Sequence, residues 1–343
     1  MISLSPKKAR EAIIKILRAN RFAMLIGSPG IGKSFLAQQI ADSFKLLLID
    51  LRLSQSDPTD LNGFAMLSQN QERMAFKPPE DIPLEGLDTV PAGYKGWLIL
   101  FDELNSAPPS VQAAAYKVIL DRKIGARKIH PAAVMMGAGN LDTDRAIVNR
   151  MGTALQSRMV HLQLQVSNDD WQEWAMDNDV DFRVRSFLRF RPELLHKFDP
   201  NHADVTYPCP RTWHMLSDII KGTEEFDVGD LAIMQGTVGE GTGIEFNGYT
   251  KVCGSLPTIE QMENDPNSVM IPDEVSHQYA FATLIGYSMN KNNVSPLMLI
   301  NAKLPLEFQV IAMKDAYQRG EGVKDHHLVR QWISTNAKKF FDS

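Results

Sequence analysis

Short apolar segments alternate with amphipathic ones along the first half of the chain. The apolar segments have the length of strands, and the stretches between them repeat apolar residues at helical spacing, as Leu36, Ile40 and Phe44 do. Strands that are apolar on both faces and alternate with helices are typical of a parallel sheet covered on both sides. The pattern therefore predicts an α/β fold, an αβα sandwich whose five parallel strands lie at 23–26, 46–50, 97–101, 134–137 and 160–164.

The second half of the chain is predicted to be mostly helical. Beyond residue 167 the strand-like segments largely stop, and helical segments are predicted at 171–178, 184–190, 211–220, 231–234, 275–289 and 306–317. The stretch 255–273 has several prolines and acidic residues, which predicts a linker or loop. We therefore expect a core domain at 1–166, a helical domain at 167–252, and a linker with a helical C-terminal region at 253–343.

Two connections in the predicted core are longer than the usual ~2–6 residues. The first, at about 51–96, is polar and rich in Pro and Gly, which predicts an elaborated insertion. The second, at about 117–131, carries Lys and Arg around Ile124 and Gly125, a pattern that predicts a hairpin with a glycine turn.

Composition narrows the class of protein. The 343 residues include 36 basic and 41 acidic side chains, a net charge of −5, which disfavours a general polyanion binder. Two cysteines, Cys209 and Cys253, are too few for a disulfide framework and indicate a reducing compartment. Although Cys209 lies near His196, His202 and His214, their spacing matches no paired zinc pattern. Because no apolar run approaches the ~20 residues that span a bilayer, we expect a cytoplasmic protein.

The strongest chemical signal is a phosphate-binding loop after the first predicted strand. Its pattern, G-x-x-x-x-G-K-[ST], is matched by Gly27-Ser28-Pro29-Gly30-Ile31-Gly32-Lys33-Ser34, and a predicted helix follows. Glycines let backbone N–H groups turn toward phosphate oxygens, and the helix N-terminus adds its positive dipole. The side chain of Lys33 would neutralise phosphate charge, and the hydroxyl of Ser34 would bind Mg²⁺. The predicted nucleotide-binding residues are Gly27, Ser28, Pro29, Gly30, Ile31, Gly32, Lys33, Ser34 and Phe35.

Two later strands end in polar residues that fit the same chemistry. The apolar strand at 97–101 is followed by Asp102 and Glu103. Asp102 is predicted to hold Mg²⁺, and Glu103 to polarise the attacking water. The strand at 134–137 leads to Asn140, whose amide can hydrogen-bond the water or the γ-phosphate. The predicted catalytic residues in one subunit are thus Lys33, Glu103 and Asn140.

In this order, these residues resemble those of the AAA+ ATPases, and further motifs make the chain similar to the MoxR family. These motifs are Asp57-Pro58-Thr59-Asp60-Leu61-Asn62-Gly63-Phe64, Phe101-Asp102-Glu103-Leu104-Asn105-Ser106-Ala107, Arg122-Lys123-Ile124-Gly125, Leu155-Gln156-Ser157-Arg158, Cys209-Pro210-Arg211-Thr212 and Gly236-Thr237-Val238-Gly239-Glu240. The resemblance covers about residues 2–252 and, more loosely, the helical tail. It implies a P-loop αβα core, a helical lid at 167–252, and assembly into a ring, usually a hexamer, with ATP between subunits.

The resemblance also implies roles for particular residues and for both insertions. Arg158 matches the arginine finger that reaches a neighbour's γ-phosphate, with Arg150 as a weaker second candidate. Arg211 matches the second sensor, which contacts the nucleotide in its own subunit. The insertion at about 51–96 matches the helix-2 insert, and 117–131 matches the hairpin before the sensor. In remodelling members of the family both project into the ring and move with the nucleotide state.

The function that the sequence favours is a Mg²⁺-dependent ATP hydrolase of MoxR type that remodels or activates a partner protein. The resemblance implies a separate von Willebrand factor A-domain protein as co-worker. Two alternatives stay open. One is a nucleic-acid motor or loader for restriction or replication, which the acidic balance disfavours. The other is a nucleotide-gated scaffold that hardly turns over, which the presence of Glu103 and Arg158 disfavours.

Overall fold

The computed structural model describes residues 2–67, 74–144, 149, 151–201, 204–320 and 322–342. The chain divides into two units, Met1–Ser167 and Asn168–Ser343, and each has its own buried apolar core. In these ranges we find no helix that is both long enough and apolar enough to cross a bilayer.

The first unit alternates strands with helices. In chain order its elements are β1 (Ser3–Leu4), α1 (Pro6–Arg18), β2 (Phe22–Ile26), α2 (Lys33–Phe44), β3 (Leu46–Arg52), α3 (Pro58–Asn62), β4 (Phe64–Leu67), β5 (Met74–Lys77), β6 (Gly96–Asp102), α4 (Pro109–Asp121), β7 (Lys123–Ile124), β8 (Arg127–Lys128), β9 (Ala133–Gly139), α5 (Thr153–Gln156) and β10 (Met159–Leu164). Short 3-10 turns lie at Leu53–Gln55 and Asp142–Asp144.

The main sheet has six parallel strands in the order β1-β10-β2-β9-β6-β3. The five predicted strands are confirmed. The sixth strand, β1, spans only two residues, too few to produce a recognisable pattern. Ile26 lies opposite Gly139, and Phe101 opposite Gly137, so the carboxyl ends of the central strands meet at one edge. The loops that follow these strands therefore converge there.

Alternate side chains of the central strands enter two different apolar layers. All seven residues of β6 are buried. Its Leu98 and Leu100 pack with residues of α1 and α2, while Ile99 and Phe101 pack with residues of α4. The sheet is therefore covered on both faces, as the continuous apolar runs predict.

The long insertion carries a two-stranded antiparallel hairpin with an unusual surface. All eight residues of β4 and β5 are exposed. Five of them are large and apolar: Phe64, Met66, Leu67, Met74 and Phe76. A second hairpin is formed by β7 and β8, and Gly125 in its turn has a φ of 58°. An ideal Cβ on Gly125 would lie 3.6 Å from Cβ of Phe76, so the two hairpins are neighbours.

The elements described in the second unit are helical throughout, as predicted. They are α6 (Asn168–Asp177), α7 (Phe182–Phe190), α8 (Pro210–Ile220), α9 (Val228–Val238), α10 (Glu240–Gly254), α11 (Ile259–Asn264), α12 (Val275–Ser288), α13 (Val294–Asn301), α14 (Leu306–Arg319) and α15 (His327–Asp342), with a 3-10 turn at Pro192–Leu195. The expectation that 255–273 is only a linker or loop is wrong in part. That stretch contains α11, capped by Thr258, and Met262 of this helix is fully buried.

Candidate nucleotide-binding site

The loop between β2 and α2 makes a turn that depends on glycine. Gly30 and Gly32 have φ angles of 79° and 93°, in the left-handed region that glycine adopts without strain. A Cβ on Gly27 would lie 2.6 Å from Cδ1 of Ile31 and 3.2 Å from the backbone oxygen of Leu164, so a side chain there would force its neighbours to shift. Because the side chain of Ile31 packs in the core with α1 and α2, any part it takes in nucleotide binding falls to its backbone.

Lys33 begins α2 and holds the loop to the end of β9. It is only 9% exposed. Its Nζ donates to the carbonyl oxygens of Gly27 at 2.6 Å and Ser28 at 2.9 Å, and to Oδ1 of Asn140 at 3.1 Å. A buried ammonium needs such partners, and these three fix its position at the carboxyl edge of the sheet.

Ser34 and Asp102 form the second link across this edge. The hydroxyl of Ser34 donates to Oδ2 of Asp102 at 2.6 Å, and Oδ1 of Asp102 accepts the backbone N–H of Glu103 at 2.8 Å. Asp102 ends β6 and is buried. A hydroxyl and a carboxylate are hard oxygen ligands of the kind that Mg²⁺ prefers, so this pair fits the predicted metal-binding role.

Glu103 has an unusual backbone and a side-chain partner that the sequence does not reveal. Its φ is 55°, in the left-handed region that is rare for a residue with a side chain. Such backbone conformations cluster at functional sites. The hydroxyl of Ser54, in the turn after β3, donates to Oε2 of Glu103. The carboxylate is thus held by the turn that follows the neighbouring strand β3.

Asn140 is anchored by a buried neighbour from the loop after β6. Both backbone groups of Asn140 bond to the side-chain amide of Asn105: its N–H donates to Oδ1 at 3.0 Å, and its carbonyl accepts from Nδ2 at 2.7 Å. The side-chain Nδ2 of Asn140 lies 3.4 Å from the hydroxyl of Ser106. Asn140 is therefore bonded to the loop that follows Glu103 as well as to Lys33.

A third carboxylate, Asp50, lies close to this edge from β3. Burial raises its pKa above the usual value, and the negative charges of Asp102 and Glu103 raise it further. Arg52, whose Nε lies 3.6 Å from Oδ2 of Asp50, acts in the opposite direction. The site is therefore rich in negative charge on the β3 side, where a bound cation would be favoured.

The structure brings five predicted residues to one edge of the sheet, where hydrogen bonds link them: Lys33, Ser34, Asp102, Glu103 and Asn140. Of the other predicted nucleotide-binding residues, Gly27 and Ser28 contact Lys33, and Gly30 and Gly32 shape the turn. Phe35 is exposed on α2.

Arg158 lies at the opposite edge of the same sheet. It comes just before β10, whose first residue, Met159, pairs with Phe22 at the amino end of β2, whereas the P-loop follows the carboxyl end of β2. Five residues of strand separate the two edges by about 16 Å. The Arg158 side chain is exposed, and its Nη1 donates to the hydroxyl of Tyr116 on α4 at 3.2 Å.

The remaining predicted arginines are Arg211 and Arg150. Arg211 is an exposed residue in the first turn of α8, in the second unit. Its contact with nucleotide stays a prediction. Arg150 and His202 lie outside the described residues.

Among the residues that the structure describes, no three His, Cys, Asp or Glu side chains form a group that could hold a metal ion.

Sequence reasoning missed Ser54, Asn105 and Asp50. Ser54 lies in a polar insertion with no periodicity, so no pattern singles it out. Asn105 lies two residues after Glu103 in the motif 101–107, but its burial (3% exposed) results from tertiary packing that the motif does not reveal. Asp50 directly follows the apolar run 46–49, as Asp102 follows the run 97–101, and this shared pattern is a signal that could have identified it.

Comparison with known proteins agrees with this geometry. Residues 23–159 match the family model described as AAA domain (dynein-related subfamily). A candidate ATPase from Cytophaga hutchinsonii is similar at 14% identity over 96% of this chain and 88% of that one, with a TM-score of 0.34. The RuvB Holliday junction branch migration motor of Thermotoga maritima is similar at 14% identity over 83% of this chain and 70% of that one, with a TM-score of 0.33.

Such weak structural likenesses carry no argument about activity. The family match spans the P-loop strand, both acidic residues after β6, Asn140 and Arg158. Of these, Lys33, Ser34, Asp102, Glu103 and Asn140 form the hydrogen-bonded group at the carboxyl edge of the sheet, whereas Arg158 lies at the opposite edge. Over residues 23–159 the chain is therefore similar to an AAA domain of the dynein-related subfamily.

Proposed function

We propose that this protein is a Mg²⁺-dependent ATP hydrolase of MoxR type that works as a ring and remodels a partner protein. The observation that carries the hydrolase proposal is the hydrogen-bonded group at the carboxyl edge of the sheet. There the P-loop Lys33, the Ser34–Asp102 pair, Glu103 and Asn140 converge. A buried ammonium beside a glycine-dependent loop and a left-handed glutamate supports this role.

Each residue has a distinct task in this proposal. The loop N–H groups and Lys33 bind the phosphates and neutralise their charge. Ser34 and Asp102 would hold Mg²⁺, which supplies further positive charge to the phosphate oxygens. Glu103 accepts a proton from, or polarises, the water that attacks the γ-phosphate, and Asn140 orients the reacting groups.

The position of Arg158 supports a site shared between subunits. An arginine side chain extends only about 7 Å, less than half of the ~16 Å between the two edges of the sheet. Arg158 is therefore poorly placed for the nucleotide of its own subunit and is presented at the edge that a neighbour can approach. We propose a ring, a hexamer by resemblance, in which Arg158 completes the next subunit's site and Arg211 contacts the nucleotide of its own.

The apolar hairpin supports a protein client. Five large apolar side chains of β4 and β5 are exposed on both faces of a two-stranded sheet, and Lys77 is the sole charged residue of these two strands. Exposed apolar surface of this kind marks sites of protein contact. A nucleic-acid backbone would instead be bound mainly by cations. A cytoplasmic location and a separate von Willebrand factor A-domain co-worker belong to the same proposal.

A second candidate function rests on the neighbouring hairpin. Lys123, Arg127 and Lys128 of β7 and β8 are exposed, and together they could contact a nucleic-acid backbone. This observation favours a nucleic-acid motor or loader. Against it stands the net charge of −5.

Steady-state hydrolysis and nucleotide titration test the hydrolase proposal. Glu103→Gln should bind ATP as the wild type does and lower kcat by about 10²–10⁴-fold. Lys33→Ala should weaken ATP binding. Glu224→Gln makes the same chemical change at an exposed position of the second unit and should leave both quantities unchanged. Wild-type kcat in Glu103→Gln would reject the catalytic assignment.

Stimulation of ATP turnover separates the two client classes. A reduced and alkylated, permanently unfolded protein should raise turnover in the wild type. The triple substitution Phe64→Ser, Leu67→Ser and Phe76→Ser should abolish that rise while basal turnover stays. If duplex DNA stimulates instead, with an effect that falls steeply with salt and is lost in Lys123→Ala/Arg127→Ala, the nucleic-acid alternative holds.

A further inference from the structure

One buried side chain satisfies both backbone groups of Asn140. Asn105 is 3% exposed, and its amide accepts from the Asn140 N–H at 3.0 Å and donates to the Asn140 carbonyl at 2.7 Å. A single planar amide thus forms with Asn140 the paired bonds that a neighbouring strand would otherwise supply. The backbone of Asn140 therefore has little freedom to shift or rotate.

The residue before Asn140 is fitted to this arrangement. A Cβ on Gly139 would lie 2.4 Å from Oδ1 of Asn105 and 2.7 Å from Cε of Met24. Such distances are far inside van der Waals contact, so any side chain at 139 would displace the Asn105 amide. The Gly139–Asn140 pair and Asn105 are thus mutually dependent.

The backbone of the Asn105 loop is also held from a second direction. The carbonyl of Asn105 accepts the N–H of Asn149 at 2.7 Å, and Nδ2 of Asn149 donates to the carbonyl of Ala107 at 2.8 Å. Gln112 of α4 donates to the same carbonyl of Ala107 at 3.1 Å. The loop that carries Asn105 is therefore a fixed support, against which Asn140 is located.

The position of the Asn140 backbone also sets the position of its side chain, which contacts the P-loop lysine. Its Oδ1 accepts from Nζ of Lys33 at 3.1 Å. A shift of the Asn140 backbone would move this amide relative to the P-loop lysine, and misplacement of about 1 Å can lower a rate by about 10²-fold.

We propose that Asn105 is a positioning residue that sets the orientation of Asn140 toward the γ-phosphate site. This inference rests on the proposed function of Asn140 and adds a specific requirement for both a donor and an acceptor at position 105. Leucine supplies neither group. Aspartate keeps an acceptor for the Asn140 N–H but, when ionised, places negative charge against the Asn140 carbonyl.

A double-mutant cycle on the full-length protein tests this inference. Asn105→Leu should lower kcat by about 10–100-fold while the dissociation constant for ATP changes less than about 2-fold. In an Asn140→Ala background no amide remains to be oriented, so adding Asn105→Leu should lower kcat by less than about a further 2-fold. Losses that multiply in the double variant would overturn the proposal. An unchanged kcat in Asn140→Ala alone would reject the proposed sensor role of Asn140. That failure can be told apart from failure of the hydrolase proposal, because Glu103→Gln tests hydrolysis separately.

Asn301→Leu is the matched control for an apolar change at a buried asparagine. Asn301 is fully buried in the second unit and belongs to no part of the site, so its variant should keep wild-type kcat. Thermal unfolding of each variant shows whether a loss of activity reflects loss of the fold.

Asn105→Asp supplies a readout that a purely structural role would not move. When the introduced carboxyl is protonated, its O–H can donate to the Asn140 carbonyl, as the amide does. The kcat of this variant, relative to wild type at the same pH, should therefore rise as the pH falls. A ratio that does not change with pH, or kcat of wild-type size throughout, would contradict the proposal.

Discussion

Three acidic side chains lie near the proposed nucleotide-binding edge, and their charges are only partly compensated within the chain. Asp50 interacts with Asp102 and Glu103, and the cation that offsets it, Arg52, is itself largely exposed. Repulsion among these carboxylates lowers the stability of the folded state, and the same negative charge attracts cations to the site. The effect can be measured at Asp50, which takes no direct part in the proposed chemistry.

Asp50→Asn should stabilise the protein at neutral pH by less than about 1 kcal/mol. Because the pKa of Asp50 is raised in the folded state, its contribution to stability is present at low pH and is lost as the pH rises through that pKa. The advantage of the variant should therefore shrink as the pH falls toward ~3.9, the pKa of an unfolded-chain aspartate. Urea unfolding between neutral and acidic pH measures it.

Arg52→Gln is the opposing variant for this prediction. It removes the favourable partner of Asp50, 3.6 Å away, and should lower stability at neutral pH. If both variants shifted stability in the same direction, repulsion at Asp50 would not be the cause.

The two cysteines should be inert toward thiol reagents in the folded protein. Both are free and buried, and burial raises the pKa of Cys253 to about 12. At pH 8 only about one Cys253 side chain in ten thousand would be a thiolate, the reactive form. An aromatic disulfide reagent should therefore release almost no product before unfolding and two equivalents in denaturant. Rapid native-state reaction of Cys253 would contradict this burial.

At the scale of elements, α7 is notable for arginines on its buried side. Arg189 donates to both carboxylate oxygens of Asp315 on α14, at 2.6 and 2.7 Å, and to the hydroxyl of Thr283 on α12 at 3.0 Å. Nη2 of Arg185, a fully buried residue, lies 2.8 Å from Oδ1 of the same aspartate. One carboxylate thus joins α7 to α14 and is shared as a counter-charge by two guanidinium groups.

Asp315→Asn should destabilise the second unit by about 3–5 kcal/mol, because the fully buried Arg185 and the partly buried Arg189 would lose their counter-charge. Burial alone would raise the pKa of Asp315, but Arg185 and Arg189 outweigh it and the pKa is lowered. Its stabilisation is thus present above the unfolded pKa and is lost as the pH falls through the folded pKa.

Chemical denaturation of Asp315→Asn, beside Asp325→Asn, checks this prediction. Asp325 pairs with Arg330 where both side chains are exposed, so its substitution should change stability by about 0–1 kcal/mol. Equal effects at the two positions would show that the buried pair has no special role.

The strands of the main sheet could be predicted from the sequence because a strand buried on both faces is a continuous run of apolar residues, as in β6. The P-loop could be predicted from its motif between a strand and a helix. The hairpin of β4 and β5 could not. Its strands have four residues each, with exposed apolar side chains on both faces, and neither alternation nor burial distinguishes them.

Helix α10 could not be predicted for a different reason, because its intrinsic helix propensity is low. Its sequence, Glu240–Gly254, contains several glycines, which weaken a helix in isolation. Yet a Cβ on Gly243 would lie 2.6 Å from the backbone nitrogen of Gln235, so a glycine lets α10 pack closely on α9. Tertiary packing thus outweighs the low helix propensity of this segment. Tertiary packing also brings the side chain of Asn105 to the backbone of Asn140. Neither effect can be deduced from spacing.

At the scale of the whole molecule, the two edges of one sheet divide the proposed chemistry between subunits. The carboxyl edge carries Lys33, Glu103 and Asn140, and the amino edge presents Arg158 next to β10. A head-to-tail contact that joins one edge to the other is heterologous, and such contacts form a ring when the rotation between subunits closes. Every site would then combine groups from two chains, so that defects in different chains can complement each other.

Mixing inactive subunits should restore activity. Arg158→Ala and Glu103→Gln should each bind ATP and hardly hydrolyse it. In an equal mixture, about a quarter of the interfaces would join an intact Glu103 to a neighbour's intact Arg158, so about a quarter of wild-type turnover should return. Mixing Glu103→Gln with Lys33→Ala is the matched control, since every site then keeps a defect of its own and no activity should return. Differently tagged subunits that co-purify, and yet recover nothing in the first mixture, would show that Arg158 does not act across the interface. Recovery in the first mixture alone requires that the finger and the glutamate of a working site come from different chains.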